Sequence, residues 1–319
     1  MNCSGKRVCL ASSAHPVNDT RIFHKEALSL ANAGYRVFIV GSNGNFNPAS
    51  NRGQQPERFR GIHFLPVVKY RYRLQRFLIN PLIILKTLLK TRAKIYHLHD
   101  PDLLPLGLVL KCLNRRVVYD VHEDYPSQLR DKHYLPQLLR NLLSPIFARW
   151  EKFACYRFDA TITATEHIAH RLRTPAQVAR KYPKIITVKN YPRLNLVPVN
   201  SAPSSLPRTT FRLIHLANVL TPERGISLLF QALDRLPQCA LILAGRFVTT
   251  DYENQIRSHP SWNRVVYLKT IPHEETFNWY TSASAGVIPS LPVLGYEYAL
   301  PVKMFELMSA RLPVIAPDF

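Results

Sequence analysis

"RIFHKEALSLANAGYRVFIVGS", residues 21–42, contains the transition that decides the fold. Apolar residues recur at helical spacing up to Gly34, which offers a stop; "RVFIVGS" (36–42) then takes the apolar, β-branched character of a sheet interior. Upstream, "KRVCLAS" (6–12) reads as another such strand. The first fifty residues therefore form a βαβ unit, whose two strands run in parallel.

The alternation continues. Further strands are expected at "GIHFLPV" (61–67), "KIYHLHD" (94–100), "RRVVYDVHE" (115–123), "ATITATE" (160–166) and "KIITVKN" (184–190). Helices are expected over 102–114, over 134–157 with a break at Pro145, and from about residue 166. "LNLVPVNSAPSSLPRTT" (194–210) is rich in Pro, Ser and Asn, lacks periodicity and marks a linker. A second strand–helix series runs from "FRLIHLA" (211–217) to "LPVIAPD" (312–318). The sequence predicts an α/β protein of two doubly wound, parallel-sheet, Rossmann-like domains, 1–193 and 211–319, facing a cleft at the carboxyl ends of their strands. A parallel strand needs helices on both sheet faces, so the stop just after "LPVIA" predicts that the second domain is truncated.

Composition narrows the function. The chain has 319 residues, 46 % of them hydrophobic, which is enough for two cores and excludes a disordered chain. Lys and Arg number 42 against 21 Asp and Glu, a net charge of +21 that attracts polyanions: nucleic acid, anionic lipid or phosphorylated small molecules. Five scattered cysteines without a C-x-x-C pair suggest neither a zinc site nor a disulfide scaffold and fit a reducing cytoplasm. The amino terminus lacks the apolar core of a signal peptide, and "FLINPLIILKTLL" (77–89) is too short, with Pro81 and Lys86 inside it, to span a bilayer.

Ionisable residues collect at strand ends. "IYHLHDPD" (95–102) and "VVYDVHED" (117–124) each finish in histidine and carboxylates, and "SSAHPVNDTR" (12–21) carries His15, Asp19 and Arg21. In a parallel sheet these three clusters share one edge, which points to a binding or catalytic rim; any single member taken alone reads as structural. Asp100 and Asp102 have the spacing of a metal–nucleotide carboxylate pair, although Asp102 also suits a helix start beside Pro101. His97, His99 and His122 are candidate zinc ligands, but no helical i,i+4 histidine pair supports them. Neither a phosphate-binding P-loop nor a nucleophile elbow is present.

In the second half, Arg224 and Gly225 sit at one helix start, and Pro301 and Lys303 at another. Free amides and a basic side chain at a helix amino terminus suit a phosphate, so Arg224 and Lys303 are candidates to hold a diphosphate and Glu306 to bind a ribose. Ordinary solvated helix starts are the alternative.

The ordered set "HPVNDTRIFHKEALSLANAGYRV", "YHLHDPDLLPLG", "VVYDVHEDYP", "ATITATEHIA", "LTPERGISLL", "IPHEETFNWYTSASAGVIPS" and "PVKMFELMSARLPVIA" resembles the bacterial family 4 glycosyltransferases of the GT-B fold, in the polysaccharide-assembly branch. The resemblance implies a nucleotide-sugar donor on the second domain and an acceptor on the first, with retention of configuration and neither metal nor cofactor. Carried over, Arg224, Gly225 and Lys303 contact the donor diphosphate and Glu306 the ribose. The family's first glutamate falls at Tyr298, with Glu297 one place off, and its glycine-rich turn is replaced by Ala217, Asn218 and Val219. His122 is the candidate for holding the donor sugar or the acceptor hydroxyl, and Glu123 for orienting it; Asp100 and Asp19 are second choices.

Residues 69–94 hold eight basic side chains and no acidic ones, interleaved with apolar residues. That composition suits a helix lying on an anionic membrane; no nucleic-acid-binding motif accompanies it, and a solvated face over a buried helix is the other reading. The expected function is transfer of a hexose to a lipid-linked saccharide in cell-surface polysaccharide synthesis, by a cytoplasmic enzyme peripheral on the inner face of the plasma membrane. A non-catalytic sugar-nucleotide or polyanion binder, favoured by Tyr298 and the abrupt end, and a nucleotide-sugar epimerase are the alternatives.

Overall fold

A computed structural model describes residues 5–17, 19–42, 61–67, 80–130, 135–173, 184–192, 211–293 and 300–318. The linker expected at 194–210, residues 69–79 of the basic stretch, and Glu297 and Tyr298 lie outside the described residues. The chain divides into two compact units, Met1–Asn190 and Tyr191–Phe319.

The first unit is a seven-stranded sheet of β1 (Arg7–Pro16), β2 (Arg36–Ser42), β3 (Ile62–Val67), β4 (Ile95–Leu98), β5 (Arg116–Val121), β6 (Ala160–Thr163) and β7 (Ile185–Thr187). Its order is β3-β2-β1-β4-β5-β6-β7, and every neighbouring pair is parallel. Alternation of side chains makes two cores. Val8, Leu10, Val37 and Ile39 pack with Ile22, Phe23 and Ala27 of α1, which is wound as a π-helix over Thr20–Ala27 and as an α-helix over Leu28–Asn32. The opposite face, with Cys9, Val40, Tyr96, Leu98, Val117 and Tyr119, is covered by α2 (Asn80–Lys90), α3 (Leu104–Cys112) and, beyond α4 (Tyr125–Arg130), α5 (Gln137–Arg157). α6 (Glu166–Leu172), capped by Thr165, follows β6.

Contrary to expectation, Pro145 does not break α5. The proline forfeits one intrahelical donor, but the preceding residue, Ser144, is buried: its hydroxyl donates to the Pro126 carbonyl at 2.8 Å and accepts from Arg130 Nε at 3.2 Å. These bonds tie α5 to α4 and hold both halves of the helix in line.

The second unit has five parallel strands, β8 (Phe211–Leu220), β9 (Cys239–Phe247), β10 (Val265–Tyr267), β11 (Ala285–Val287) and β12 (Val314–Ile315), in the order β10-β9-β8-β11-β12. α7 (Ile226–Arg235), α8 (Thr250–Arg257), α9 (His273–Thr281) and α10 (Val302–Ser309) connect them. Ile226, Leu229, Phe230 and Leu233 of α7 pack in one core, and Tyr280 and Leu307 in the other. Two doubly wound sheets are thus the architecture, the second smaller than the first.

Candidate active site

In each sheet the strand order reverses direction at one point: between β1 and β4 in the first unit, between β8 and β11 in the second. Helices leave on opposite faces there, so the carboxyl ends of the strands border a crevice. The polar residues singled out in the sequence collect at these two points.

In the first unit, register explains the gathering. Leu98 stands opposite Tyr119 and Ala11 opposite Leu98, so the strand ends come level. Tyr96 and Leu98 face the helices α2, α3 and α5, which turns His97 and His99 toward α1; Asp120, between Tyr119 and Val121, turns the same way. Arg21 of α1 meets Asp120 there, with Nε to Oδ2 at 3.0 Å and Nη2 to Oδ1 at 2.9 Å. His122 Nε2 lies 3.2 Å from Asp120 Oδ2 and 3.2 Å from His99 Nδ1. Glu26 closes the cluster, 3.1 Å from Arg21 Nε, 3.6 Å from His97 Nδ1 and 3.5 Å from His99 Nε2.

Charge is distributed unevenly within this group. Burial raises the Asp120 carboxyl, but His122 and Arg21 outweigh it and hold it well below the usual carboxylate range. Glu26 goes the other way: burial, reinforced by the charge of Asp120, pushes it up to about 10. Glu26 is therefore a neutral acid at pH 7, and the Arg21 charge is balanced by Asp120. Burial lowers His97 to about 4 and His99 well below its ordinary value, so both rings are neutral.

Glu26, His97, His99 and Asp120 each bring one ligand atom within 4.8 Å of the others. The imidazoles, however, lie between the two carboxyl groups, with opposite nitrogens 3.5–3.9 Å from Glu26 and Asp120. Arg21 already covers both oxygens of Asp120. Glu26 Oε2, His97 Nε2 and His99 Nε2 are buried without a hydrogen-bond partner, so the cluster keeps donor atoms that a cation could take up, while the Arg21 charge beside Asp120 opposes one.

The named candidates fall into different places. His122 is half-buried at the rim, its ring 5.7 Å from that of His15. Glu123 is exposed and accepts from Gln128 Nε2. Asp100 is buried, and its Oδ2 accepts from Ser12 Oγ at 2.6 Å and from the backbone amides of Ser13 at 2.7 Å and Ala14 at 3.1 Å. It clamps the last part of β1 rather than facing solvent. Asp19 caps α1, accepting from the amides of Arg21 at 2.8 Å and Ile22 at 3.1 Å. Its carboxylate also lies 3.5 Å from His15 Nδ1, and that hydrogen bond raises the histidine. Ser13 Oγ donates to Asp102 at 2.6 Å.

Sequence reasoning noted Arg21 but passed over Glu26 and Asp120. The signal was available: a carboxylate inside "VVYDV" is flanked by sheet-interior residues and requires a buried cation.

In the second unit, β8 is followed by Thr221, a single 3₁₀ turn (Pro222–Arg224) and Gly225, from which α7 begins. Gly225 has φ 69°, and a Cβ there would lie 1.8 Å from the Pro289 carbonyl oxygen beyond β11. Only glycine lets this turn approach that carbonyl. Lys303, in the first turn of α10, is lowered by burial and further by the charge of Arg224, while Glu306 opposes the shift. Buried His215 accepts or donates at Nδ1 to the Val287 carbonyl at 2.9 Å; burial lowers it to about 4, and Arg224 and Lys303 add to the effect. Glu306 is buried, held by the Tyr280 hydroxyl at 2.9 Å and 4.0 Å from Lys303 Nζ. The structure thus brings Arg224, Gly225, Lys303 and Glu306 to one strand edge and adds His215 and Tyr280, which the sequence reading missed.

Two doubly wound units with polar residues collected where strand order reverses are the architecture of the GT-B glycosyltransferases. Sucrose-phosphate synthase from Thermosynechococcus elongatus superposes with a TM-score of 0.70 at 19 % identity, covering 98 % of this chain and 81 % of that one. HepE from Anabaena, solved with UDP and glucose, gives 0.66 at 15 % identity, covering 97 % and 80 %. The catalytic domain of starch synthase IV from Arabidopsis thaliana, bound to ADP and acarbose, gives 0.63 at 15 % identity, covering 98 % and 83 %. These likenesses show the fold. The glycosyltransferase family 4 profile matches residues 21–190 and the glycosyl transferases group 1 profile matches residues 210–319. The chain belongs to glycosyltransferase family 4. No curated protein matches the sequence.

Proposed function

We propose that this glycosyltransferase moves a hexose from a nucleoside diphosphate sugar to a lipid-linked saccharide, with retention of anomeric configuration and without a metal or cofactor, in cell-surface polysaccharide synthesis. The observation that carries the reading is the turn of Arg224 and Gly225 packed against Pro289 after β11, with Lys303 at the start of α10 and both cations helping to keep buried His215 neutral. Two cations held together on a sheet edge favour a multiply charged anion, and a leaving diphosphate is such an anion. Charge developing on it is met by these side chains, so no bridging cation is required. UDP and ADP in the HepE and starch synthase structures support a nucleoside diphosphate donor.

In this reading Glu306, oriented by Tyr280, binds the ribose. His122, backed by Asp120, holds the donor sugar or the acceptor hydroxyl, and Glu123 orients it. Asp100 and Asp19 position the segment that carries His15. The basic, apolar composition of 69–94 favours an acceptor carried at an anionic membrane, with the enzyme peripheral on its cytoplasmic side. Among the described residues, no helix is long and apolar enough to cross a membrane.

Incubation with a panel of nucleotide-sugars and a lipid-linked acceptor tests the proposal. Free nucleoside diphosphate should appear only with acceptor, the product should keep the donor's anomeric configuration by NMR, a chelator should not slow release, and Glu306→Ala should abolish it. Binding without acceptor-dependent release would favour a non-catalytic binder, the reading that Tyr298 at the first glutamate position supports.

A further inference from the structure

α5 (Gln137–Arg157) carries an unusual outer surface. Its inner side is ordinary: Ala154 and Cys155 join the core, and buried Glu151 accepts from the Tyr119 hydroxyl at 3.1 Å and pairs with Arg171 at 2.8 Å. A helix on the outside of a sheet normally presents polar residues to water. This one exposes Leu138, Leu142, Ile146, Trp150, Phe153 and Tyr156, with Leu138 86 % and Tyr156 57 % exposed. At helical pitch these positions span an arc of roughly 120° along the length of the helix. The Trp150 and Phe153 rings stack at 5.9 Å and 27°, which gives the arc a flat aromatic centre.

The charges on this helix have one sign outward. Arg149 and Arg157 are exposed within the arc and Lys152 borders it, whereas Glu151, the helix's sole acidic residue, is turned into the core. Lys184 adds a cation 6.0 Å from the centre of the Tyr156 ring. The face is therefore apolar and cationic together.

Three occupants differ in how they meet it. A second copy would bring two chains of net charge +21 together and set arginine against arginine. Nucleic acid would answer the cations but leave the six apolar side chains in water. An anionic bilayer answers both, taking apolar side chains at the headgroup–acyl boundary and cations at the headgroups.

We propose that α5 docks this chain on an anionic lipid surface, with Leu138, Leu142, Ile146, Trp150, Phe153 and Tyr156 inserted and Arg149, Lys152 and Arg157 at the headgroups. α2, which shares the core cluster of α5 and so covers the same sheet face, exposes Leu82, Ile83 and Leu89 beside Lys86 and Lys90. The two helices thus lie on the same side of the sheet, and each exposes apolar and basic residues. The proposal rests on the membrane-peripheral reading above and names the surface that makes the contact; its test needs neither donor nor acceptor, so it can fail while the transferase reading stands.

Co-sedimentation of the full chain with phosphatidylcholine vesicles, with and without phosphatidylglycerol, tests it. Binding should require phosphatidylglycerol and fall with salt. Leu142→Glu/Phe153→Glu and Arg149→Glu/Lys152→Glu should each weaken binding by roughly tenfold or more. Circular dichroism and Tm should hold, because none of these side chains lies in the core. Wild-type binding by both α5 double variants would overturn the proposal. So would a loss confined to Lys86→Glu/Lys90→Glu, which would place the contact on α2 alone. A wild-type dimer in solution that Leu142→Glu/Phe153→Glu converts to monomer would overturn it as well, by making the face a self-association surface.

Discussion

Arg21 and Asp120, 99 residues apart in the chain, form a buried pair joined by two hydrogen bonds of 2.9 and 3.0 Å. The pair fastens α1 to β5 and sets the platform on which His122 rests. Removing one partner leaves a buried charge without its counterion, so Arg21→Met should destabilise the protein by about 3–5 kcal/mol. Adding Asp120→Leu should recover much of that loss. Denaturant midpoints of the two variants decide it; an Arg21→Met protein as stable as wild type would show that the pair contributes nothing.

Glu26 supplies a pH signature. Its folded-state pKa, raised from 4.5 to about 10 by burial and the Asp120 charge, means the folded protein keeps a proton that the unfolded chain releases above pH 4.5. Stability from this group is complete below that value and is lost as pH rises toward 10. Glu26→Gln, neutral at every pH, should flatten the alkaline decline in Tm. Parallel Tm–pH curves for the two proteins would contradict the assignment.

Lowered His97 gives the opposite limb. The unfolded chain binds a proton below 6.5 that the folded protein refuses until about 4, so stability should fall on acidification across that interval. His97→Asn should reduce this acid sensitivity, measured as the Tm difference between neutral and mildly acidic buffer.

Gly225 should tolerate no side chain. A Cβ would meet the Pro289 carbonyl oxygen at 1.8 Å, and φ is 69°. Gly225→Ala should lower Tm by several degrees and abolish nucleotide binding. Gly5→Ala, at φ 79° with nothing within 4 Å, carries the backbone strain alone and should cost only about 1 kcal/mol. Equal losses in the two variants would show that close approach to Pro289 is unimportant.

Both α/β series and the gathering of three polar clusters on one edge were legible in the sequence, because parallel strands read as apolar runs and their carboxyl ends as sudden polarity. Arg224, Gly225 and Lys303 were legible as helix-start residues, and Glu306 as a carboxylate one turn further on. What escaped was depth. Asp100 looked like a rim carboxylate yet spends its Oδ2 on Ser12, Ser13 and Ala14, contacts 86 to 88 residues distant that no local pattern encodes. Glu26 drew no notice within α1, and its place among the imidazoles follows only once α1 lies across β4 and β5. Pro145 carried the local signal of a helix break, and tertiary bonds through Ser144 overrode it. The apolar face of α5 was equally hidden, because helical periodicity does not say which arc meets the sheet.

Nucleoside diphosphate binding tests the central claim most directly. Calorimetric titration of the full chain with UDP, GDP and ADP should find one that binds at a single site. Arg224→Ala and Lys303→Ala should each weaken it by roughly tenfold or more, the loss of one charge-assisted phosphate contact. If none of the three binds, or if both variants bind as wild type does, the Arg224–Lys303 edge is not a diphosphate site and the proposed donor reading fails.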